Sequence, residues 1–374
     1  LSTEFLPDPP QITPDLMRHP LTRELGRQAV LIAARDGLGL PTRDESLGEM
    51  FVAGNGGQTA PFHIAVRPYN GGNCSLKLSP IMDTADDATI DNAKLERTFH
   101  FKPDTYNMYK SLTQVLGSAS RTDLVETLSA AGLKGESVSI SDGAPLPDGV
   151  AQQLDQLNFV SQYAAARAIH DAIIEDGESL ARLGGLVRAY TNLSLVSQHH
   201  WSSADSAFAA RALLYSERLV ALNPQDSSSY WHRAYARALI GLHRAALEDI
   251  AVAERMPAAG NDAPPAWSAV IEPFCKFDID KLATLSATSG LSELAPQLVF
   301  ELKSYYTLPR WTGEAGYEVM AICPDAYHVY ARVADHSEMA FQRMATRSAA
   351  ANFGERVPRR VALLPDLPPS VQEM

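Results

Sequence analysis

Apolar residues recur every three or four positions through most of the second half of the chain, and that spacing predicts helices. Leu21, Leu25, Ala29 and Ile32 open the pattern and predict a helix over 21–35, stopped by Gly37 and Gly39. Residues 104–135 also read as helical, with Leu124, Leu128 and Ala131 on one face and Gly132 as the cap. Over 152–175 one stripe runs Phe159, Tyr163, Ala166, Ile169 and Ile173, and Gly177 closes it. A second ridge on the same helix, Val160, Ala164, Ala168 and Ala172, is small at every fourth position and permits close approach of another helix. Leu180, Leu183, Leu186, Tyr190, Leu193 and Val196 define the next helix. Gly184 and Gly185 lie inside it at a cost of roughly 1 kcal/mol each, which predicts a neighbour pressed close.

Three further helices crowd residues 208–256. Phe208, Ala212, Tyr215, Leu219 and Leu222 share a stripe that Asn223-Pro224 ends, with Ser202 and Ser203 as candidate caps before it. Asp226 and Ser227 cap a helix running to about Leu239. Gly241 then turns the chain into a third helix whose Ala246, Ile250 and Ala253 face inward. Helical patterns return in 291–306 and 315–322, and Cys323-Pro324-Asp325 echoes the earlier Asn-Pro turn.

Residues 50–105 change to a two-residue period. The runs 61–69 and 74–79 flank Asn70-Gly71-Gly72 and predict a β-hairpin in a small sheet. Residues 1–20 carry Pro7, Pro9, Pro10, Pro14 and Pro20 and predict an extended arm. Residues 136–149 read as a linker, and 351–374 as a Pro-rich tail. The expected organisation is an arm (1–20), a mixed helix and hairpin region (21–135), the linker, a helical domain (150–350) and the tail. The fold class is mainly α.

Residues 208–256 resemble a tetratricopeptide repeat. Ala212 stands at the small position, Pro224 at the repeat end, Tyr230 at the opening aromatic, Ala234 at the Gly/Ala position and Gly241-x4-Ala246 at the turn. Ile250 and Ala253 match the second-helix core, whereas Arg233 and Arg237 stand where the family has Leu and Tyr. The match is strong over one and a half repeats and weak over 150–350. It implies irregular helical repeats stacked into an α-solenoid, and a binding surface.

Composition narrows the function classes. The chain has 374 residues, 45% hydrophobic and 20% charged, enough for two or three domains with substantial cores. The formal net charge of −12 argues against a nucleic-acid groove. No apolar run approaches membrane-spanning length. The start at Leu1 rather than Met leaves two readings, a removed signal segment or a start inside a larger chain, and the expectation leans to the first, an exported or periplasmic protein. Three cysteines, Cys74, Cys275 and Cys323, lack C-x-x-C spacing, so no zinc or thioredoxin-like site is read. The three read as small buried hydrophobes, with a single disulfide, Cys275 to Cys323 before the other pairings, as the alternative.

Candidate chemistry is sparse. Asp83, Asp86, Asp87 and Asp91 lack the EF-hand order and read as a solvated loop, as do Asp278 and Asp280. The glycines of 54–57 and 70–72 fit no phosphate-binding pattern and read as turns. No catalytic, metal or cofactor set emerges. The partner-binding candidates are His199, His200 and Trp201 at a helix end, and Trp231 and Tyr235, which the repeat resemblance puts on the groove-lining face and which read equally as core. The expectation is a non-catalytic module for protein–protein interaction or assembly, with protein partners and no cofactor. Two alternatives stand beside it: a permanent structural subunit of a large complex, and an enzyme with a site between the β region and the helices, built on His63, His100 or the 83–91 carboxylates.

Overall fold

The computed structural model describes residues 20–40, 108–130, 133–198 (save 142), 204–256 and 264–303 (save 277), together with short strands before residue 101. The described chain is mainly helical. Its helices are α1 (Pro20–Leu38), α2 (Met108–Ala119), α3 (Asp123–Ala130), α4 (Val150–Asp155), α5 (Phe159–Asp176), α6 (Leu180–Ser197), α7 (Ala204–Leu222), α8 (Ser227–Ile240), α9 (His243–Arg255), α10 (Ile271–Cys275), α11 (Ile279–Leu285) and α12 (Leu294–Lys303). A 3-10 turn, Ala266–Val270, precedes α10. No helix among the described residues is long and apolar enough to cross a membrane.

Among the described residues, six strands lie before residue 101: β1 (Ser2–Glu4), β2 (Thr42–Asp44), β3 (Glu49–Phe51), β4 (Phe62–Tyr69), β5 (Ser75–Met82) and β6 (Arg97–His100). They form a four-stranded sheet of order β1-β4-β5-β6 and a separate β2-β3 pair. β4 and β5 run antiparallel from Phe62 opposite Met82 to Tyr69 opposite Ser75.

Contacts group the chain into two units, 1–236 and 237–374, with the boundary inside α8. In the first unit, α6 packs on α5 and α7, and α7 packs on α1 and α2. α1 and α7 are the core helices. Leu21, Leu25, Ala29, Ile32 and Ala33 are buried on α1, and Phe208, Ala212, Tyr215 and Leu219 on α7. Each fully buried large apolar side chain contributes roughly 2 kcal/mol. Burial also takes in the polar positions of both helices, among them Glu24, Arg27, Gln28, Arg35, Asp36, Arg211, Glu217 and Arg218.

Local signals explain several boundaries. The stretch 152–175, read as one helix, is two: Asn158 caps α5 by accepting from the Ser161 N–H at 2.9 Å. Gly177 ends α5 at φ 93°, and a Cβ there would lie 2.6 Å from the Ser139 hydroxyl. Asp226 caps α8, accepting from the Ser228 N–H at 3.1 Å. Residues 136–141 are not a free spacer. The Val138 N–H donates to the Asp36 carbonyl at 3.0 Å, the Glu178 N–H to the Ser139 carbonyl at 2.7 Å, and the Ser141 N–H to the Glu178 carbonyl at 2.7 Å. This strap ties the end of α1 to the α5–α6 turn because its backbone groups are satisfied there.

The second unit packs α9 on α10, α10 on α11, and α11 on α12. Ile250, Phe274, Leu282 and Leu298 are among its core residues. Arg237 is fully buried and donates to Asp249 on α9 at 2.8 Å. Asp278 caps α11 by accepting from the Lys281 N–H at 3.0 Å. Cys275 is buried, and Cys323 lies outside the described residues.

Candidate functional site

The most concentrated chemistry in the first unit is a buried polar cluster where α1, α5, α6 and α7 meet. α1 supplies Gln28, Arg35 and Asp36, α5 His170, α6 Tyr190, and α7 Arg211, Tyr215 and Arg218. Glu178 joins them from the α5–α6 turn. All nine side chains are buried.

Asp36 is the anionic centre. It accepts from the Arg35 Nε at 2.9 Å, the Tyr215 hydroxyl at 2.8 Å and the Arg218 Nη1 at 3.2 Å. Burial alone raises a carboxyl pKa, but the Arg35 and Arg218 guanidiniums outweigh it and hold Asp36 well below the usual carboxylate range. The Tyr215 hydroxyl also accepts from Arg35. Burial pushes the Tyr215 phenol well above its ordinary value, so it stays a neutral donor.

Arg218 reaches a second carboxylate. Its Nε donates to Glu178 at 3.0 Å, and its Nη2 lies 2.8 Å from the same oxygen. One guanidinium thus joins the end of α1 to the start of α6, where the strap also runs. Burial raises the Glu178 carboxyl above its usual value despite Arg218, and the nearby Asp36 charge adds to the rise.

His170 occupies the centre of the aromatic part. Its ring lies 5.8 Å from Tyr190 and 6.0 Å from Tyr215, and those two tyrosine rings stack 6.0 Å apart. His170 Nε2 is 2.7 Å from the Tyr190 hydroxyl, which accepts from Arg211 Nη1 at 3.2 Å. The pattern is satisfied when Tyr190 donates to a neutral His170. Burial first, then the Arg35 guanidinium, holds the imidazole well below its ordinary pKa. Arg211 completes the row by donating its Nε to Gln28 at 2.8 Å and stacking over Tyr190 at 5.3 Å. Chemically the cluster holds fixed charges and one neutral base among four helices and a turn.

The expected binding residues fall elsewhere. Trp231 is 8% exposed and Tyr235 is 0% exposed, so neither ring stands on an open groove face. Burial takes the core alternative for both, and Tyr235 has a physical reason for it. Its hydroxyl donates to Asn192 at 2.6 Å, the Asn192 amide donates to Gln162 at 3.1 Å, and the Gln162 amide donates to the carbonyls of Gln153 and Gln156 at 2.9 and 2.7 Å. This chain satisfies carbonyls at the end of α4. Burial raises the Tyr235 phenol above its ordinary pKa. His199, His200 and Trp201 lie outside the described residues, as do the 83–91 carboxylates. His63 and His100 are not brought together along the sheet. They pair with Ile81 and Ser75 of β5, six residues or about 20 Å apart, and His100 is exposed. No group of three metal-ligating side chains occurs among the described residues.

The buried cluster itself had no local signature in the chain. Arg211 and Arg218 are seven residues apart and so share a helix face with the apolar stripe of α7, the one pattern that marks them. Comparison with family models, with curated proteins and with solved structures finds no match to this chain.

Proposed function

We propose that the chain is a non-catalytic interaction or assembly module built on irregular, tetratricopeptide-like helical repeats. The observation that carries this reading is the run of consecutive helices from α4 to α9, joined by short turns at 156–158, 177–179, 223–226 and 241–242. Helical hairpins of this kind, where they stack as repeats, present extended side-chain surfaces to partners. The two arginines that depart from the repeat pattern support it further, because each is compensated within the helices. Arg233 donates to Glu217 on α7 at 2.8 Å, and Arg237 donates to Asp249 on α9. Ion pairs there occupy places that apolar residues fill in the family. The described ionisable groups of the α1–α7 cluster are committed to one another, which favours a structural use of that chemistry.

The test is cross-linking mass spectrometry on the tagged full chain captured from its native source. The expected result is a specific partner at fixed stoichiometry, cross-linked to residues within 150–256. Recovery of the chain alone, with no saturable partner, overturns the proposal.

A further inference from the structure

The outward face of α5 carries exposed apolar side chains at both ends. Val160 is 75% exposed and Ile174 is 47% exposed. Between them, steps of four and three residues place Ala164, Arg167 and Asp171 on the same strip. Arg167 and Asp171 are exposed, and their side chains make no ion pair among the described residues. Read from its N-terminal end, the strip is apolar, small, positive, negative and apolar. The charge pair in that order is complementary to itself only when the strip is reversed about a point midway between Arg167 and Asp171, an arrangement in which Val160 reaches past the end of the facing helix.

We propose that this strip pairs with the same strip of a second copy of the chain, antiparallel, about a twofold axis near residue 169. The charge order selects the occupant and its direction. In the antiparallel arrangement Arg167 faces Asp171 of the second copy, and the twofold repeats the contact with the roles exchanged. The same axis sets Ile174 against Ala164 of the second copy, a large side chain over a small one. Ala168, half-buried beside the strip, lets the two backbones approach. A parallel pairing would set Arg167 against Arg167 and Asp171 against Asp171.

The contact is one helix wide. An 18-residue helix is about 27 Å long, and one face of it covers less than the roughly 1,200 Å² of a stable interface. The dimer is therefore weak and concentration-dependent. The proposal rests on the reading of the chain as an interaction module and names one partner for it.

Sedimentation equilibrium of the full chain, from low micromolar to near-millimolar concentration, is the test. The expected result is a mass that rises toward two copies, with association weakened by salt. R167E and D171R each reduce the association constant by about tenfold, since each places like charges opposite twice. The double variant R167E/D171R restores it, because the reversed order is again self-complementary. Both side chains are exposed, so circular dichroism and melting temperature should not move. A monomer at every concentration overturns the proposal, and so does a dimer that ignores the single charge reversals or is not restored by the double variant. A monomer that still captures a partner from its source removes self-pairing alone and leaves the module reading in place.

Discussion

Each buried cation among the described residues is an arginine: Arg27, Arg35, Arg182, Arg211, Arg218, Arg233 and Arg237. A guanidinium is weakly hydrated and offers five N–H groups in a planar fork, so it serves several acceptors at once. Arg218 uses the fork across Asp36 and Glu178. Arg182 uses it on the carbonyls of Ala172 and Gly177, at 2.9 and 2.6 Å. An ammonium has neither the reach nor the plane. R218M should therefore lower the unfolding free energy by about 3–5 kcal/mol, because two buried carboxylates lose their shared partner. R218K should recover only part of it in the same denaturant titration. His170 sets a pH dependence of the opposite kind from a salt-bridged histidine. Its folded pKa is depressed, so below the ordinary value near 6.5 the unfolded chain binds a proton that the folded chain refuses. Stability is then full above about pH 7 and falls as pH drops toward 5, by up to about 1.4 kcal/mol per pH unit for this proton. His232, whose pKa burial lowers to about 4, adds to the fall. H170Q, which keeps an acceptor for Tyr190, should flatten the slope by one proton when melting is followed from pH 7 to 5. An unchanged slope would show that His170 does not carry it.

At the scale of elements, close approach replaces bulk where α6 meets α8. A Cβ on Gly184 would lie 2.7 Å from the His232 ring nitrogen, and one on Gly185 2.7 Å from a Leu146 methyl. G184A gains about 1 kcal/mol of helix propensity but must displace the ring, at a cost of about 1–3 kcal/mol. The expected outcome is net destabilisation in wild type and stabilisation in an H232A background, read from a double-mutant cycle. That contact was legible in the sequence, since two glycines inside a strong apolar period require a neighbour. So were Gly177, the Asn223-Pro224 stop and the inward Ala246, Ile250 and Ala253. The partners were not. Arg35, Asp36 and Arg211 drew no reading of their own, because periodicity scores charge as outward. Their partners lie about 180 residues away on the other core helix, where no local spacing reports them. Residues 138–141 show the converse. Gly, Ser and Pro mark a linker by composition, yet backbone hydrogen bonds, which composition does not encode, hold 138–141 in place.

At the scale of the whole molecule, the buried charges among the described residues cancel. Against the seven buried arginines stand seven buried carboxylates: Glu24, Asp36, Glu178, Asp205, Glu217, Asp249 and Glu301. The formal charge of −12 therefore belongs to the rest of the chain, and salt screens whatever part of it is exposed. Ionic strength should act on association far more than on melting. The strap gives a second expectation at this scale. Limited trypsin digestion of the native chain should cut late after Lys134, although that side chain is exposed, because the backbone just beyond it is pinned. Early cleavage there would restore the linker reading.

The pairing of α1 with α7 also sets an order of events during synthesis. α1 leaves the ribosome with Glu24, Arg27, Arg35 and Asp36 already on a helix that has apolar residues on its other sides. The helix that covers it emerges about 180 residues later. At roughly 5–20 residues per second that interval is on the order of 10–40 s. For that time the future centre of the unit is a surface segment, and its charges keep it in water until Tyr215 and Arg218 arrive.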